Sequence, residues 1–275
     1  MTMDTSTKII LPIFFYLILT MKFKTTPYHH NLLKDNDRLA VFYEAIKEYD
    51  GENKLAYDLG CGSGILSYFL TSKFKEIISL EINEKTYKCA CENLKKFNNI
   101  QIIHSDILKY KFQKKADLII CEMLDTALID EEEIPVLNYA KKFLKKDGKI
   151  IPEGVINTIQ LVNLEKHHLH WDENANYQKL SKETVYSEIN FLDDINPKVS
   201  LKLSLKAEKN AILNGLKITT YTKLNKNIIA GPLPMLNPPL LIPLDEKHIK
   251  INEFINVEIE YIMGNGIESI KTKYI

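Results

Sequence analysis

"YDLGCGSGIL", residues 57–66, sets three glycines in five positions between an acidic residue and a short apolar run. Glycine turns through positive φ at no steric cost and lets another molecule approach the backbone closely. A strand entering such a turn and a helix leaving it put bare amides against a nucleotide-like ligand. The spacing is Gly60-x-Gly62-x-Gly64. A dinucleotide fingerprint, G-x-G-x-x-G, needs its third glycine at position 65, which is Ile65 here. Hydride chemistry is therefore disfavoured.

Upstream of the loop, residues 36–49 have helical period and lead into an apolar strand at 54–59. Downstream, a helix runs to residue 72, followed by the strand EIISLE at 76–81 and a helix over 84–97. IQIIH (100–104) and ADLIICE (116–122) read as two more buried strands. A helix over 134–146 follows, with lysines 141, 142, 145 and 146 at its C-terminal end and Asp147-Gly148 as its stop. Strands separated by helices call for a parallel sheet covered on both faces, with ligands at the carboxyl ends of the strands. After Pro152 the helical period is lost. Residues 155–164, 184–191, 199–206, 212–223, 253–262 and 266–275 read as β-runs and imply an antiparallel sheet or barrel. The expected organisation is an N-terminal arm over 1–27, an α/β domain over 28–152 and a β-barrel-like domain over 153–275.

The 36 basic and 36 acidic side chains cancel, so no global field advertises nucleic acid or an anionic membrane, although a local basic face is compatible with that balance. A chain of 275 residues at 45% hydrophobic composition can bury a full core. Cysteines 61, 89, 91 and 121 are too few and too clustered for a disulfide framework, and Cys89-x-Cys91 lacks a second pair for zinc. They imply a reduced, cytoplasmic protein. IILPIFFYLILTM, residues 9–21, is an apolar run of 13 residues, short of the roughly 20 that span a bilayer. The residues before it carry no net positive charge, Pro12 interrupts it, and no small-residue cleavage site follows. It reads as a packed arm or as the result of a start upstream of Met21, with a targeting signal as the alternative. No stable membrane partner is expected.

Two strand ends extend the ligand pattern. Glu81 closes the second strand 21 residues after Gly60, where a carboxylate can accept both hydroxyls of a ribose. Asp106 stands just beyond the third strand, as a ligand contact or as a solvated strand-end acid. With a dinucleotide disfavoured, S-adenosyl-L-methionine is the candidate cofactor.

At these residues the chain resembles the class I S-adenosylmethionine-dependent methyltransferases. YDLGCGSGIL is similar to their first motif, with Gly60, Gly62 and Gly64 under the cofactor and Asp58 supporting the loop. The resemblance gives the ribose to Glu81 and the adenine side to Asp106. HHNLLKDNDRLAVFYEAI (29–46), CEMLDTALIDEEE (121–133) and LKKDGKIIPEG (144–154) narrow it. Together they resemble the protein arginine methyltransferases: a helix bearing Asp-x-x-Arg, a hairpin with two glutamates, then a β-barrel. The fold this implies is α/β, a Rossmann-like class I methyltransferase domain followed by an antiparallel β-barrel-like domain.

Arg38 is the only arginine among the 36 basic residues, so lysine serves wherever a positive charge suffices. A guanidinium grips a carboxylate through two parallel hydrogen bonds, which an ammonium cannot reproduce. The resemblance makes its target the methionine carboxylate of the cofactor; a surface ion pair with Asp35 is the alternative. Glu122 ends the fourth strand, and Glu131 follows nine residues later, close enough for a short loop to return it. Two carboxylates there could clamp a guanidinium, or Glu131, Glu132 and Glu133 could decorate the first turn of the next helix.

The chain departs from the family pattern at two places, with Tyr28 in place of an aromatic helix and Asn237 in place of a histidine. Asn237-Pro238-Pro239 reads as an extended turn. His167, His168 and His170 read as a surface cluster, and no metal is expected. Residues 165–183 are a dimerisation arm, which would make a homodimer, or a loop. The resulting expectation is an enzyme that methylates a protein nitrogen of the arginine type, with Glu122 and Glu131 catalytic. Methylation of RNA and a catalytically inactive cofactor-binding scaffold stand as alternatives.

Overall fold

The computed structural model describes residues 23–233 and 236–275; the apolar run at 9–21 and most of the expected arm lie outside them. The chain divides into two compact units. One comprises the residues up to Cys121 together with Phe143–Ile151, and the other comprises Glu122–Lys142 and Pro152–Ile275.

The first unit is built on a five-stranded parallel sheet of β1 (Leu55–Leu59), β2 (Glu76–Glu81), β3 (Ile100–His104), β4 (Ala116–Cys121) and β5 (Leu144–Ile151), in the order β3-β2-β1-β4-β5. Every residue of β1 is buried, as expected of a central strand covered on both faces. The reversal of strand order between β1 and β4 makes the carboxyl end of β1 the place where a ligand fits. Register brings Leu59 level with Leu80 and with Cys121, so Gly60 and Glu81 leave the sheet at one edge.

Helices α1 (Pro27–Lys34), α2 (Asn36–Lys47), α3 (Ile65–Thr71) and α4 (Glu84–Leu94) complete this unit. The helix α1 lies upstream of the helix read over 36–49, and it starts with a proline in its first turn, whose fixed φ suits that position. Asp35 caps α2 by accepting from the Arg38 amide at 2.9 Å, and Asn83 caps α4 through the amides of Lys85 and Thr86.

The helix expected over 134–146 is corrected. It is α5 (Glu133–Ala140) and stops before the lysines because the chain must re-enter the sheet: Phe143 packs against Phe112 with ring centroids 5.0 Å apart, and Leu144 pairs with Ala116. Lys145–Gly148 then bulge out of β5 opposite Asp117 alone, and Lys145 Nζ binds both Asp117 oxygens at 2.8 Å. Lys145 and Lys146 are therefore strand residues.

The second unit is antiparallel. A seven-stranded sheet contains β6 (Gly154–Leu164), β7 (His170–Trp171), β8 (Tyr177–Lys179), β9 (Thr184–Asn190), β11 (Ala211–Lys223), β12 (Ile229–Ala230) and β13 (Leu240–Ile249). A three-stranded sheet contains β10 (Lys198–Lys206), β14 (Phe254–Ile262) and β15 (Lys271–Tyr274). Among the described residues the ladders do not close into one ring, although a bridge between Ser181 and Ala207 joins the two sheets. β13 was not legible as a strand because Pro243 interrupts it; its partner is Gly215, beside an irregularity in the β11 ladder. No described helix is long and apolar enough to cross a membrane.

Residues 122–142 belong to this second unit, and hydrogen bonds to its β-strands and turns hold them. Thr126 Oγ1 donates to Pro238 O at 2.5 Å, the Ala127 amide to Thr220 Oγ1 at 2.8 Å, and the amides of Gly264 and Gly266 to the carbonyls of Leu128 and Ile129 at 3.0 and 2.8 Å. Ala127 (φ 65°) and Leu128 (φ 58°) both occupy the left-handed region, which side chains disfavour, so these anchors fix a strained turn.

Candidate functional site

In the first unit the glycine loop and Glu81 are joined directly. Gly60, Gly62 and Gly64 all have positive φ, at 72°, 57° and 92°. The Glu81 carboxylate accepts from the Gly62 amide at 2.9 Å and from the Asn83 amide at 2.7 Å, so the end of β2 holds the loop that follows β1. Asp58, buried beneath the loop, accepts from Ser67 Oγ of α3 at 2.5 Å, and Ser67 in turn meets Ser79 Oγ of β2 at 2.8 Å.

His29, which the sequence reading did not single out, packs over this loop from α1. A Cβ at Gly62 would stand 2.8 Å from His29 Cδ2 and 2.9 Å from its Nε2, while Nδ1 meets Thr26 Oγ1 at 2.8 Å. Burial lowers the pKa of the His29 ring; the Glu81 charge opposes the shift and the Arg38 charge adds to it. The only available sequence signal was the position of His29 within the family-like stretch 29–46. An alanine at Gly62 would be strained by its φ and crowded by the ring, so Gly62→Ala should cost about 1–2 kcal/mol. A thermal melt lowered by several degrees is expected; an unchanged melt would mean that the loop relaxes freely.

Arg38 is not a surface residue. Only 3% of it is exposed, its guanidinium lies 5.8 Å from the Phe42 ring centroid, and Nη1 donates to Leu32 O at 3.4 Å. Asp106 takes a different position, beginning a short helical turn: it accepts from the Leu108 amide at 2.9 Å and pairs with Lys109 at 2.9 Å. The Lys109 hydrogen bond holds its carboxyl below the usual range.

In the second unit, Glu122 and Glu131 bracket the strained turn. Burial raises the Glu131 carboxyl above its usual range, and the charge of Glu122, then those of Asp130 and Glu132, push it the same way. Within the acidic run 131–133, Glu132 is exposed but Glu133 is fully buried, its Oε2 accepting from the Met123 amide at 2.9 Å. Asn237 is also fully buried. It donates to Thr220 O at 2.5 Å and to Thr222 Oγ1 at 3.2 Å and accepts from the Leu233 amide, which ties its turn to β11.

The histidine cluster is bound up within its own loop and with β13. His167 Nε2 meets Leu244 O at 2.7 Å, His170 Nδ1 meets His168 O at 2.7 Å, and the rings of His168 and His170 stack at 4.2 Å. Among the described residues no group of three side chains is arranged to hold a metal ion.

Residues 56–148 match the methyltransferase domain family. An uncharacterised protein of Methanothermobacter thermautotrophicus is 42% identical over 93% of this chain and 100% of its own length. A probable protein arginine N-methyltransferase 6.1 of Oryza sativa subsp. indica is 30% identical over 45% of this chain and 34% of its own length. Among solved structures, the Trypanosoma brucei PRMT1 enzyme-prozyme heterotetrameric complex with AdoHcy shares the fold, with a TM-score of 0.76 over 90% of this chain and 96% of that one at 15% identity. The parallel sheet, its glycine loop and these matches converge: the chain is of one family with its full-length archaeal relative and belongs to the class I S-adenosylmethionine-dependent methyltransferases, resembling the protein arginine methyltransferases among them.

Proposed function

We propose that the enzyme methylates a guanidinium nitrogen of arginine in a protein. The carrying observation is the pair Glu122 and Glu131, two carboxylates on one anchored turn, close enough that the charge of one raises the other. The donor set of the first unit fits S-adenosylmethionine: a carboxylate for hydroxyls, a guanidinium for a carboxylate, and a loop of three glycines at positive φ whose backbone carries no side chains.

In this reading Arg38 forks onto the methionine carboxylate, Glu81 accepts the ribose hydroxyls, and Asp106 faces the adenine side. Gly60, Gly62 and Gly64 form the floor, Asp58 braces it through Ser67, and the His29 ring closes one wall. When bound, the cofactor supplies an electrophilic methyl group on a sulfonium. Glu122 and Glu131 hold the guanidinium so that one terminal nitrogen keeps its lone pair for attack; positioning and charge stabilisation then supply most of the acceleration. Each transfer releases one proton, and Glu131, with its raised carboxyl, is suited to accept it. Assembly as a homodimer in the cytoplasm belongs to the same reading.

The acidic run Asp130–Glu133 argues against RNA as the acceptor, because phosphates would meet like charge. A cell extract incubated with methyl-labelled cofactor tests the acceptor directly. Label lost to protease and recovered as methylarginine supports the proposal. Label lost only to nuclease would put RNA in its place, and cofactor binding with no transfer to any polymer would mark a scaffold. Before that, S-adenosylmethionine and S-adenosylhomocysteine should each raise the melting temperature at concentrations above their Kd, while NAD should not. Stabilisation by NAD alone would overturn the cofactor site.

A further inference from the structure

Each of the two glutamates is steadied by another carboxylate in the same segment. Asp125 gathers three amides: it accepts from Ile129 at 2.7 Å through Oδ1, and from Asp130 at 2.5 Å and Glu131 at 3.0 Å through Oδ2. Glu133, fully buried, accepts from the amide of Met123, the residue after Glu122. The two ties cross. The acid near the first glutamate holds the second, and the acid beyond the second holds the neighbour of the first. We propose that Asp125 and Glu133 are positioning residues that aim Glu131 and Glu122, an inference that rests on the reading of those two glutamates as the acceptor clamp.

Electrostatics separates this role from plain loop packing. One orphan amide is capped as well by neutral serine or asparagine, whereas three amides divided between both oxygens of Asp125 call for a carboxylate. A carboxylate placed beside two others is an expensive choice, because like charges in a half-buried site oppose ionisation. Here two extra acids share the turn with Glu122 and Glu131, and they also deepen the negative potential that a cationic acceptor meets. The turn needs such ties, since Ala127 and Leu128 hold left-handed backbone that would otherwise relax.

Burial pushes the Asp125 carboxyl up to about 7; its three amide bonds pull it down and the Asp130 charge adds to the rise. From β14, Tyr261 faces the same acid, with its hydroxyl pushed up to about 12 by burial and by the Asp125 charge and partly offset by its bond to Tyr186 of β9 at 3.1 Å. Only the ionised acid offers full acceptor strength to three amides. The grip on Glu131 therefore tightens as pH rises through neutrality and slackens below it.

The test compares the full-length protein with Asp125→Asn, Asp125→Ser and Glu133→Gln. Amide hydrogen exchange is read at Met123 and 129–131, and methyl transfer to a Gly-Arg repeat peptide is read from pH 6 to 9. Asp125→Asn should speed exchange at 129–131 and Glu133→Gln at Met123. Each should lower kcat/KM roughly ten- to hundred-fold, as a small misplacement of a reacting group does, with S-adenosylhomocysteine affinity unchanged. In Asp125→Asn the rise of rate near pH 7 that belongs to Asp125 should disappear. Asp125→Ser supplies a smaller neutral acceptor if the asparagine variant does not fold. Unchanged exchange at these amides, or a loss of transfer matched by equal loss of cofactor affinity, would overturn the proposal. If the wild-type enzyme leaves the peptide unmethylated, the arginine reading fails, and the exchange data alone decide the clasp: faster exchange confined to the tied amides supports it, and unchanged exchange refutes it.

Discussion

Glu122→Gln and Glu131→Gln should each bind S-adenosylmethionine as the wild type does and lose methyl transfer by about 100- to 1000-fold, the range seen when one preorganised charge-stabilising group is removed. Glutamine keeps the size and a carbonyl acceptor but removes the negative charge that attracts a guanidinium. Both residues lie in the second unit, whereas the glycine loop, Glu81 and Arg38 lie in the first, so cofactor affinity and turnover should separate. Single-turnover rates beside cofactor calorimetry make that comparison. If Glu122→Gln is dead and Glu131→Gln transfers at the wild-type rate, the paired clamp is wrong and a single-carboxylate site for another acceptor replaces it. Normal transfer by both would end the arginine reading.

Arg38→Lys should weaken cofactor binding by about 1–3 kcal/mol, the worth of hydrogen bonds to a charged group, and leave the protein folded. The position is buried, and the chain has no other arginine, so the substitution asks whether planar, two-point contact is what this site requires. Lysine retains the charge but offers a point donor on a flexible stem. Calorimetry with S-adenosylhomocysteine reads the change without an acceptor. Equal affinity would assign Arg38 to packing against Phe42 and to its bond with the Leu32 carbonyl.

What the sequence made legible followed the range of the forces involved. β2 was read at its true limits and β1 within one residue, because a buried parallel strand is a continuous apolar run bounded by turn residues. The glycine loop was legible for the same reason, as its backbone angles are written in its residue types. Helix α1 was missed although Pro27 in its first turn was a usable start signal. The end of α5 was missed because four lysines suit a helix terminus, and only pairing across β4 shows that two of them bulge from a strand. Asp125 and Glu133 were not legible as holders of the loop. In an acidic run each carboxylate looks like a solvated charge, and nothing local marks which one folds inward onto an amide.

The chain enters each unit twice, leaving the parallel sheet at Cys121, returning at Phe143 and leaving again at Ile151. For the evolution of new acceptor preferences this sets the unit of inheritance. A recombination at Pro152, where sequence grammar changes, would carry away Thr220, Pro238, Gly264 and Gly266, which hold Thr126, Ala127, Leu128 and Ile129, and leave residues 122–142 with foreign neighbours. Only an exchange that moves both segments together transmits a working turn. New acceptor preferences are thus reached more readily by point substitution within the loop than by exchanging the C-terminal sheets alone.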